Sequence, residues 1–310
     1  MGASDDSAAK DGEDNDQDAI RPVELNRRAF IGVGATALTG VIGLPLYATM
    51  VEPHWLEIVR RDLAVANLPH ELNGATLAQV SDLHTCTYVD EDYLCYSLDR
   101  LAAYSPDIVA ITGDFVTWQE WRPEVERVAQ LERVLTHLPK ARIATIAILG
   151  NHDYGQTWHD RGVADRIVSI VSNRGIRILR NEVATVSGLD FIGIDDLWSG
   201  RADTRPAFAQ RTSNAAIALC HNPDGLDELP WKGYSGWILS GHTHGGQCKP
   251  PFLPPPILPV KNRRYTAGEI AVDINRKVYI SRGIGHLYKV RFNVRPELTI
   301  FRLVRDSSTS

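Results

Sequence analysis

The sequence predicts an α/β fold in which two β-sheets pack as a sandwich and helices cover its outer faces. Five short runs rich in Ile, Val, Ala and Leu are typical of buried strands, and helical periodicity fills the intervals between the first of them. From Ala215 onward the chain is mostly strands and loops. The five runs are Ala75–Val80, Asp107–Ile111, Ile143–Leu149, Ala215–Cys220 and Gly236–Leu239. An order of β-α-β-α-β-α followed by strands predicts one large domain rather than two.

The part of the chain after residue 51 begins with 52–72. We interpret this segment as a lead-in to the domain, with an extended or connecting strand at His54–Leu68. A helix over Tyr93–Tyr104 follows the first buried run, because apolar residues recur there at helical spacing. Ser105 and Pro106 end that helix.

Two further helices are predicted, over Gln119–Leu138 and Arg161–Asn173, and Gly175 ends the second. The first carries a stripe at three-to-four spacing that we expect to pack into the core: Trp121, Val125, Val128, Leu131, Leu135 and Leu138. Further strands are predicted at Ile176–Leu179, Leu189–Ile194, Lys277–Ser281 and Glu297–Leu303. Pro250–Pro259 holds six prolines and is therefore predicted to be an ordered surface loop.

The N-terminal residues are predicted to be a targeting segment rather than part of the folded domain. Residues 1–26 carry eight acids against Lys10 and Arg21 and should be a disordered tail. Paired arginines then precede an uncharged, glycine-containing apolar stretch, so 27–51 resembles a twin-arginine export signal or a membrane anchor. Both interpretations stay open, and both place the protein outside the cytoplasm, either exported through the twin-arginine machinery or anchored with the domain facing the periplasm or cell exterior. A short tail is expected at 306–310.

The charge of the chain gives no support to a nucleic-acid partner. The net charge is −5, and the first 26 residues contribute −6 of it, so the remainder sums to +1. A nearly neutral domain gives no electrostatic reason to expect binding to nucleic acid.

Polar clusters follow the five buried runs, where functional groups gather in open α/β sheets. They read Ser81-Asp82-Leu83-His84, Thr112-Gly113-Asp114, Gly150-Asn151-His152-Asp153, His221-Asn222 and Gly241-His242-Thr243-His244. Five of the ten histidines lie inside them. Carboxylates together with imidazoles suit Mn, Zn, Fe or Mg rather than a thiolate site. The number of candidate ligands exceeds what one catalytic ion needs, so two divalent ions are expected.

In order, spacing and residue type, these clusters resemble those of the calcineurin-like metallophosphoesterase superfamily, over a domain at 73–305. The stretches FIGIDDLW, GHTHGGQ and SRGIG further resemble a bacterial branch of twin-arginine-exported or membrane-attached phosphodiesterases. The resemblance implies a four-layer αββα sandwich. Position by position, it implies a first metal on Asp82, His84, Asp114 and His244, and a second on Asp114, Asn151, His221 and His242.

The resemblance also implies a reaction, in which a hydroxide bridging the two ions attacks a phosphoester. His152 would stabilise charge on the phosphoryl oxygens or protonate the leaving group, and Asp153 would orient His152. Purple acid phosphatases have a tyrosine ligand where this chain has Thr117, so an Fe(III)–tyrosinate site is not expected.

The expected substrate is a phosphodiester or pyrophosphate that is associated with the membrane or envelope, whether lipid-linked or wall-linked. Arg282 and Arg264 are candidates for binding a phosphate oxygen, because arginine binds phosphate bidentately. Trp198 and Tyr265 are candidates for stacking on a base or sugar. The alternative function is a metal-containing envelope-binding protein with little or no catalysis, which would not require His152.

Overall fold

The computed structural model describes residues 43–85, 88–118 and 121–306. The predicted acidic tail, residues 27–42 of the predicted signal or anchor, and residues 307–310 lie outside that part of the chain. The described residues from Pro45 onward form one compact unit. Within the described ranges, no helix combines the length and the apolar character needed to cross a membrane.

Two six-stranded sheets form the centre of the unit. The strands are β1 Glu57–Val65, β2 Thr76–Val80, β3 Ile108–Ile111, β4 Ala144–Ala147, β5 Arg177–Ile178, β6 Glu182–Val186, β7 Leu189–Gly193, β8 Ala216–Leu219, β9 Gly236–Ser240, β10 Gly268–Ala271, β11 Arg276–Ile280 and β12 Glu297–Arg305. Sheet 1 has the order β1-β12-β2-β3-β4-β5, and sheet 2 has the order β10-β11-β9-β8-β7-β6. The strands β2 to β5 pair in parallel, as do β7, β8, β9 and β11.

Helices cover the outer face of each sheet: α1 Glu91–Ala102, α2 Glu124–Thr136, α3 Arg161–Ser172, α4 Thr204–Ala209 and α5 Gly225–Glu228. Three clusters of buried apolar side chains lie between the layers and hold them together. One joins sheet 1 to α1, α2 and α3, a second lies between the sheets, and a third joins sheet 2 to α4 and α5. The four-layer αββα sandwich predicted from the sequence is therefore confirmed.

The predicted helix at Gln119–Leu138 is shorter than expected. Helix α2 begins directly after Pro123, because a proline ring disfavours helical backbone in the residue before it. Trp121 is 77% exposed and Val125 is 73% exposed, whereas Leu131 and Leu135 are buried. Placing Trp121 and Val125 in the core was wrong, and only the C-terminal part of the stripe packs inward.

Strand β1 lies within the segment that we interpreted as a lead-in. It pairs in parallel with β12 along its whole length, from Glu57 opposite Glu297 to Val65 opposite Arg305. The segment is therefore an edge strand of sheet 1. A parallel pairing between the two ends of a chain leaves no local signal in the sequence, since no hairpin connects the partners.

Candidate metal centre

The carboxyl ends of β2, β3 and β4 in sheet 1 meet those of β8 and β9 in sheet 2. This brings two groups of candidate ligands together, each with ligand atoms within 4.8 Å of one another. The first group is Asp82, His84 and His244, and the second is Asp114, His221 and His242; His152 lies within the same distance of His84 and Asp114. The two groups together contain every residue of the two implied ligand sets except Asn151. Asp114, which both implied sets contain, belongs to the second group.

Asp114 lies between the two groups. Its Oδ2 atom is 3.1 Å from His221 Nε2 and 3.5 Å from His84 Nε2. The Nε2 atom of His84 is in turn 3.0 Å from that of His244. Three ring nitrogens and a carboxylate oxygen thus converge on one small volume, which is the arrangement that a shared cation requires.

The backbone and one hydroxyl fix the orientation of three imidazole rings. His221 Nδ1 is 2.7 Å from the carbonyl oxygen of Thr112, and His242 Nε2 is 2.9 Å from that of Pro259. Since a carbonyl only accepts, each of these nitrogens must donate, which leaves the opposite nitrogen free to face an ion. Thr117 Oγ1 lies 2.7 Å from His84 Nδ1 and orients that ring in the same way.

Asn151 provides an independent test of whether these residues fit a metal. Its side chain is fully buried, and neither Oδ1 nor Nδ2 has a hydrogen-bond partner among the described residues. An unpartnered buried amide is costly unless something else satisfies it. A cation beside Asn151 would satisfy the oxygen, and a donor set of carboxylates, imidazoles and one amide fits Mn, Zn, Fe or Mg.

Five of the candidate ligands have strained backbone. Their φ angles lie between 48° and 71°, in the left-handed region that residues other than glycine rarely adopt. They are Asp82, His84, Asp114, His242 and His244. Strain of this kind costs about 1–3 kcal/mol per residue and is typical of functional sites.

A chain of buried hydrogen bonds holds Asp82. Gln79 Nε2 donates to Thr112 Oγ1 (3.2 Å), the Thr112 hydroxyl donates to Ser81 Oγ (2.7 Å), and Ser81 donates to the Asp82 carboxylate. The backbone N–H of His242 also donates to Asp82, at 3.0 Å. Neither Gln79 nor Thr112 was predicted to support a ligand, although a polar side chain within the buried run Ala75–Val80 indicates Gln79.

Charge on Asp114 and His221 is mutually stabilised. Burial alone would raise the pKa of Asp114, but the nearby imidazoles, His221 first, lower it well below its usual range. Burial would likewise lower the pKa of His221, yet Asp114 raises it to about 10. The proton held between them occupies a place that a divalent ion can take, so metal binding there would release a proton.

The side chains of His152 and Asp153, although adjacent in sequence, make different contacts. The His152 ring is partly exposed, 5.0 Å between centroids from that of His84, and burial lowers its pKa. The predicted role of Asp153 in orienting His152 stays a prediction, since the hydrogen bonds of its carboxylate run to the backbone. Its carboxylate accepts four backbone N–H groups at 2.9–3.2 Å: those of Gly150, Asp114, Phe115 and Val116. It therefore acts as a positioning residue that ties the loop after β4 to the loop after β3.

The two candidate arginines are engaged elsewhere. The Arg282 guanidinium is paired with Glu297 and Glu57, and that of Arg264 donates to the carbonyl oxygen of Ala271. Neither is part of the ligand cluster, although the aliphatic part of Arg282 packs close to Gly245, the residue after His244. Their role in binding phosphate stays a prediction.

Aromatic rings border the centre on the side of His152. Trp198 stacks on Trp158, with 4.9 Å between ring centroids, and the two also contact His242 and His152, respectively, edge to face. Tyr265 is fully buried and donates its hydroxyl to Asp227, so it is not available to stack on a ligand. Trp158 was not among the predicted residues, and its positive φ of 64° gave no sequence signal.

Comparison with known proteins agrees with this geometry. A family model described as calcineurin-like phosphoesterase matches residues 75–246, more than half of the chain. The phosphodiesterase YaeI of Escherichia coli is 29% identical, and the alignment covers 90% of this chain and all of YaeI. The uncharacterized metallophosphoesterase YkuE of Bacillus subtilis is also 29% identical, over 90% of this chain and 98% of YkuE.

A third relative acts on a named substrate. The UDP-2,3-diacylglucosamine pyrophosphatase LpxG of Chlamydia trachomatis is 27% identical, over 89% of this chain and 99% of LpxG. The matched family region begins with β2 and ends just after His244, so it contains all seven candidate ligands and His152. The chain therefore belongs to the calcineurin-like phosphoesterase family and is a metallophosphoesterase.

Proposed function

We propose that this metallophosphoesterase hydrolyses phosphodiester or pyrophosphate bonds in a substrate of the membrane or cell envelope, with two divalent ions at the centre described above. The observation that carries the proposal is the convergence of two groups of ligand atoms around Asp114, together with the buried amide of Asn151, which has no partner among the described residues. One group, Asp82, His84 and His244, would hold the first ion together with Asp114. Asn151, His221 and His242 would hold the second with the same carboxylate.

The ions, when bound, would supply hydroxide at neutral pH and withdraw charge from the phosphoryl oxygens. The residues of the chain have different tasks. The strained backbone and the hydrogen bonds to Thr112, Thr117 and Pro259 hold the ligands in one arrangement before any substrate arrives. His152 lies beside this arrangement without a hydrogen-bond partner for its ring among the described residues, so it is placed to act on the substrate. It would donate a proton to the leaving oxygen or a hydrogen bond to a phosphoryl oxygen.

Two observations support a membrane or envelope substrate. LpxG, a relative aligned over nearly its full length, is named for a pyrophosphate that carries two acyl groups. The uncharged apolar residues at 29–51, preceded by paired arginines, resemble an export signal or anchor. Export would proceed through the twin-arginine machinery, with the domain reaching the periplasm or cell exterior.

The test is turnover by the full-length protein in detergent, stripped of metal and then reloaded with Mn, Zn, Mg or Fe(II). The substrates are bis-p-nitrophenyl phosphate, p-nitrophenyl phosphate and a nucleoside diphosphate sugar that bears acyl chains. Metal-dependent cleavage of the diester or the pyrophosphate, with little cleavage of the monoester, is the expected result.

Faster cleavage of the monoester would contradict the diester assignment while leaving the family intact. Tight binding of two ions without turnover of any substrate would instead support the envelope-binding alternative. Equal cleavage of the pyrophosphate with and without its acyl chains would remove the support for a lipid-linked substrate.

A further inference from the structure

The loop at Pro250–Pro259 exposes apolar side chains that the fold does not use. Phe252 is fully exposed, and Leu253 and Ile257 are 60% and 76% exposed. Pro255 and Leu258, by contrast, are buried and fasten the loop to the domain. The six prolines restrict the backbone, so Phe252, Leu253 and Ile257 are held in water. Clustered apolar side chains presented in this way are typical of an interaction surface.

Two contacts attach this loop to the candidate metal centre. Gly246, four residues before the loop, lies so close to its middle that a Cβ atom there would be 2.4 Å from Pro255 Cβ. At its end, the Pro259 carbonyl oxygen accepts from His242 Nε2 at 2.9 Å. The exposed side chains are thus carried by a loop that begins six residues after one candidate ligand, His244, and ends against another, His242.

A helical segment beside the loop adds to the apolar surface. The Asn293 side chain donates to the Lys249 carbonyl oxygen, and its backbone N–H donates to the Glu52 carboxylate at 2.9 Å. The helical segment that precedes Glu52 exposes Leu46 and Met50. This segment also ends the uncharged stretch at 29–51 that the sequence predicts to be a signal or anchor.

A second neighbour adds an aromatic side chain. The Gln247 amide donates to the carbonyl oxygens of Tyr288 and Val290, at 2.9 and 2.8 Å. Tyr288 itself is 70% exposed. Gln247 therefore ties the turn that carries Tyr288 to the start of the proline-rich loop.

Cations accompany these apolar side chains. Lys249, Lys289, Arg263 and Arg264 are exposed, and neither lysine has an ion-pair partner among the described residues. Arg295 lies over the exposed ring of Trp55, 4.4 Å from its centroid. Apolar and aromatic side chains mixed with lysine and arginine match the interface of an anionic bilayer, where acyl chains meet negatively charged headgroups.

We propose that this face, defined by Met50, Lys249, Phe252, Leu253, Ile257 and Tyr288, docks on an anionic lipid bilayer and inserts the tip of the proline-rich loop into its interface. A cavity of about 630 Å³ is lined both by residues of the tip, Phe252 and Leu253, and by Gly245, the residue after the candidate ligand His244. Docking would therefore hold the centre beside the headgroups. Insertion itself does not depend on catalysis, and only its use in presenting a lipid-linked phosphoester rests on the proposed function.

The experiment places an environment-sensitive fluorescent amino acid at position 252 of the full-length protein. Position 274 is the matched control, because Ile274 is 96% exposed in the turn between β10 and β11. Residues 29–51 alone could hold the chain on vesicles, so the readout is the local environment of each probe and not co-sedimentation. The vesicles contain phosphatidylcholine with or without phosphatidylglycerol, and brominated acyl chains serve as quenchers.

The expected result is a blue shift and quenching at 252, stronger with phosphatidylglycerol, and neither change at 274. A probe at 252 that stays in water while the protein is on the vesicles would overturn the proposal. So would a blue shift at 252 that grows with protein concentration in the absence of lipid, because the face would then bind a second copy of the chain.

Hydrolysis of bis-p-nitrophenyl phosphate and of the acylated nucleoside diphosphate sugar by the same labelled protein, loaded with metal, separates the two proposals. Insertion without hydrolysis would refute the proposed function and leave docking intact. Hydrolysis without insertion would do the reverse.

Discussion

The two sheets contribute differently to the candidate centre. Sheet 1 supplies the carboxylates Asp82 and Asp114, the Asn151 amide and one imidazole, His84, and sheet 2 supplies the imidazoles of His221, His242 and His244. Backbone N–H groups hold the carboxylates, whereas backbone carbonyl oxygens hold two of the three imidazoles from sheet 2. Neither sheet offers a full ligand set for two ions, so the centre exists only where the sheets are packed together.

Hydrogen bonds between the halves join them at the centre. The His242 N–H, from sheet 2, donates to Asp82 of sheet 1, and His221 Nδ1 donates to the carbonyl oxygen of Thr112. These contacts connect residues that are 160 and 109 positions apart in the chain. Ion binding should therefore stabilise the whole sandwich, because the ligand set does not exist in the unfolded chain.

The largest effect should follow from removing the carboxylate that faces both ligand groups. Under the proposed function, Asp114→Asn leaves only one charged ligand, Asp82, and we expect kcat/KM for the diester to fall by about 10³-fold or more. Titration calorimetry should show fewer than two bound ions.

Asp190→Asn is the matched control for Asp114→Asn. Asp190 is also buried and accepts backbone N–H groups, from Thr212 and Ser213, but it lies near the start of β7, away from the centre. Its substitution should lower stability and leave the metal stoichiometry at two. Retention of both ions and of turnover by Asp114→Asn would refute the shared-ligand assignment.

His152→Ala tests a residue that lies beside both ligand groups. The imidazole belongs to neither of the two proposed ligand sets, so we expect two ions to bind and kcat to fall by about a hundredfold. If His152 protonates the leaving group, the loss should be greater for an alkyl phosphodiester than for bis-p-nitrophenyl phosphate, whose leaving group needs no proton. Loss of an ion in this variant would make His152 a ligand instead.

Gly241→Ala perturbs the contact between the halves at Asp82. A Cβ atom at this position would lie 2.0 Å from Ser81 Oγ and 2.4 Å from Asp82 Oδ2, so the carboxylate must move. We expect the affinity for one of the two ions to fall by roughly 10- to 100-fold, as when a supporting contact of a ligand is lost.

The control for Gly241→Ala is Gly162→Ala in helix α3, where the nearest atom would be a side-chain oxygen at 3.2 Å. That variant should bind both ions as the unaltered protein does. Unchanged ion affinity in Gly241→Ala would show that Asp82 can move without loss of its ligand geometry.

The sequence predicted the ends of the buried strands well, and the structure explains why. A buried run such as Ile108–Ile111 must end before a charged residue such as Asp114, so the change from apolar to polar marks both the strand end and the candidate ligand. The packing of the two sheets could also be predicted, because the runs that form each sheet are apolar on both faces.

Contacts between residues far apart in the chain could not be predicted from the sequence. Nothing near Pro259 in the sequence indicates that its carbonyl oxygen orients His242, and nothing near Glu57 indicates that the strand it begins pairs with β12. Asp153 shows that contacts between loops are also hard to predict when the residues are neighbours in a short motif. The motif Asn-His-Asp suggested a carboxylate that orients the preceding imidazole, whereas the folded backbone turns it toward four N–H groups.

Asp153→Asn should have the smallest effect on activity and a clear effect on stability. An amide in place of the carboxylate keeps one accepting oxygen but turns an NH₂ group toward backbone donors, so buried N–H groups lose their acceptor. The expected destabilisation is about 1–3 kcal/mol in urea unfolding, with an activity loss of about tenfold from displacement of the loop that carries Asn151 and His152. If Asp153 instead acted through the His152 ring, activity would fall as far as in His152→Ala while stability stayed unchanged, so the two measurements together decide between a backbone anchor and a partner of the histidine.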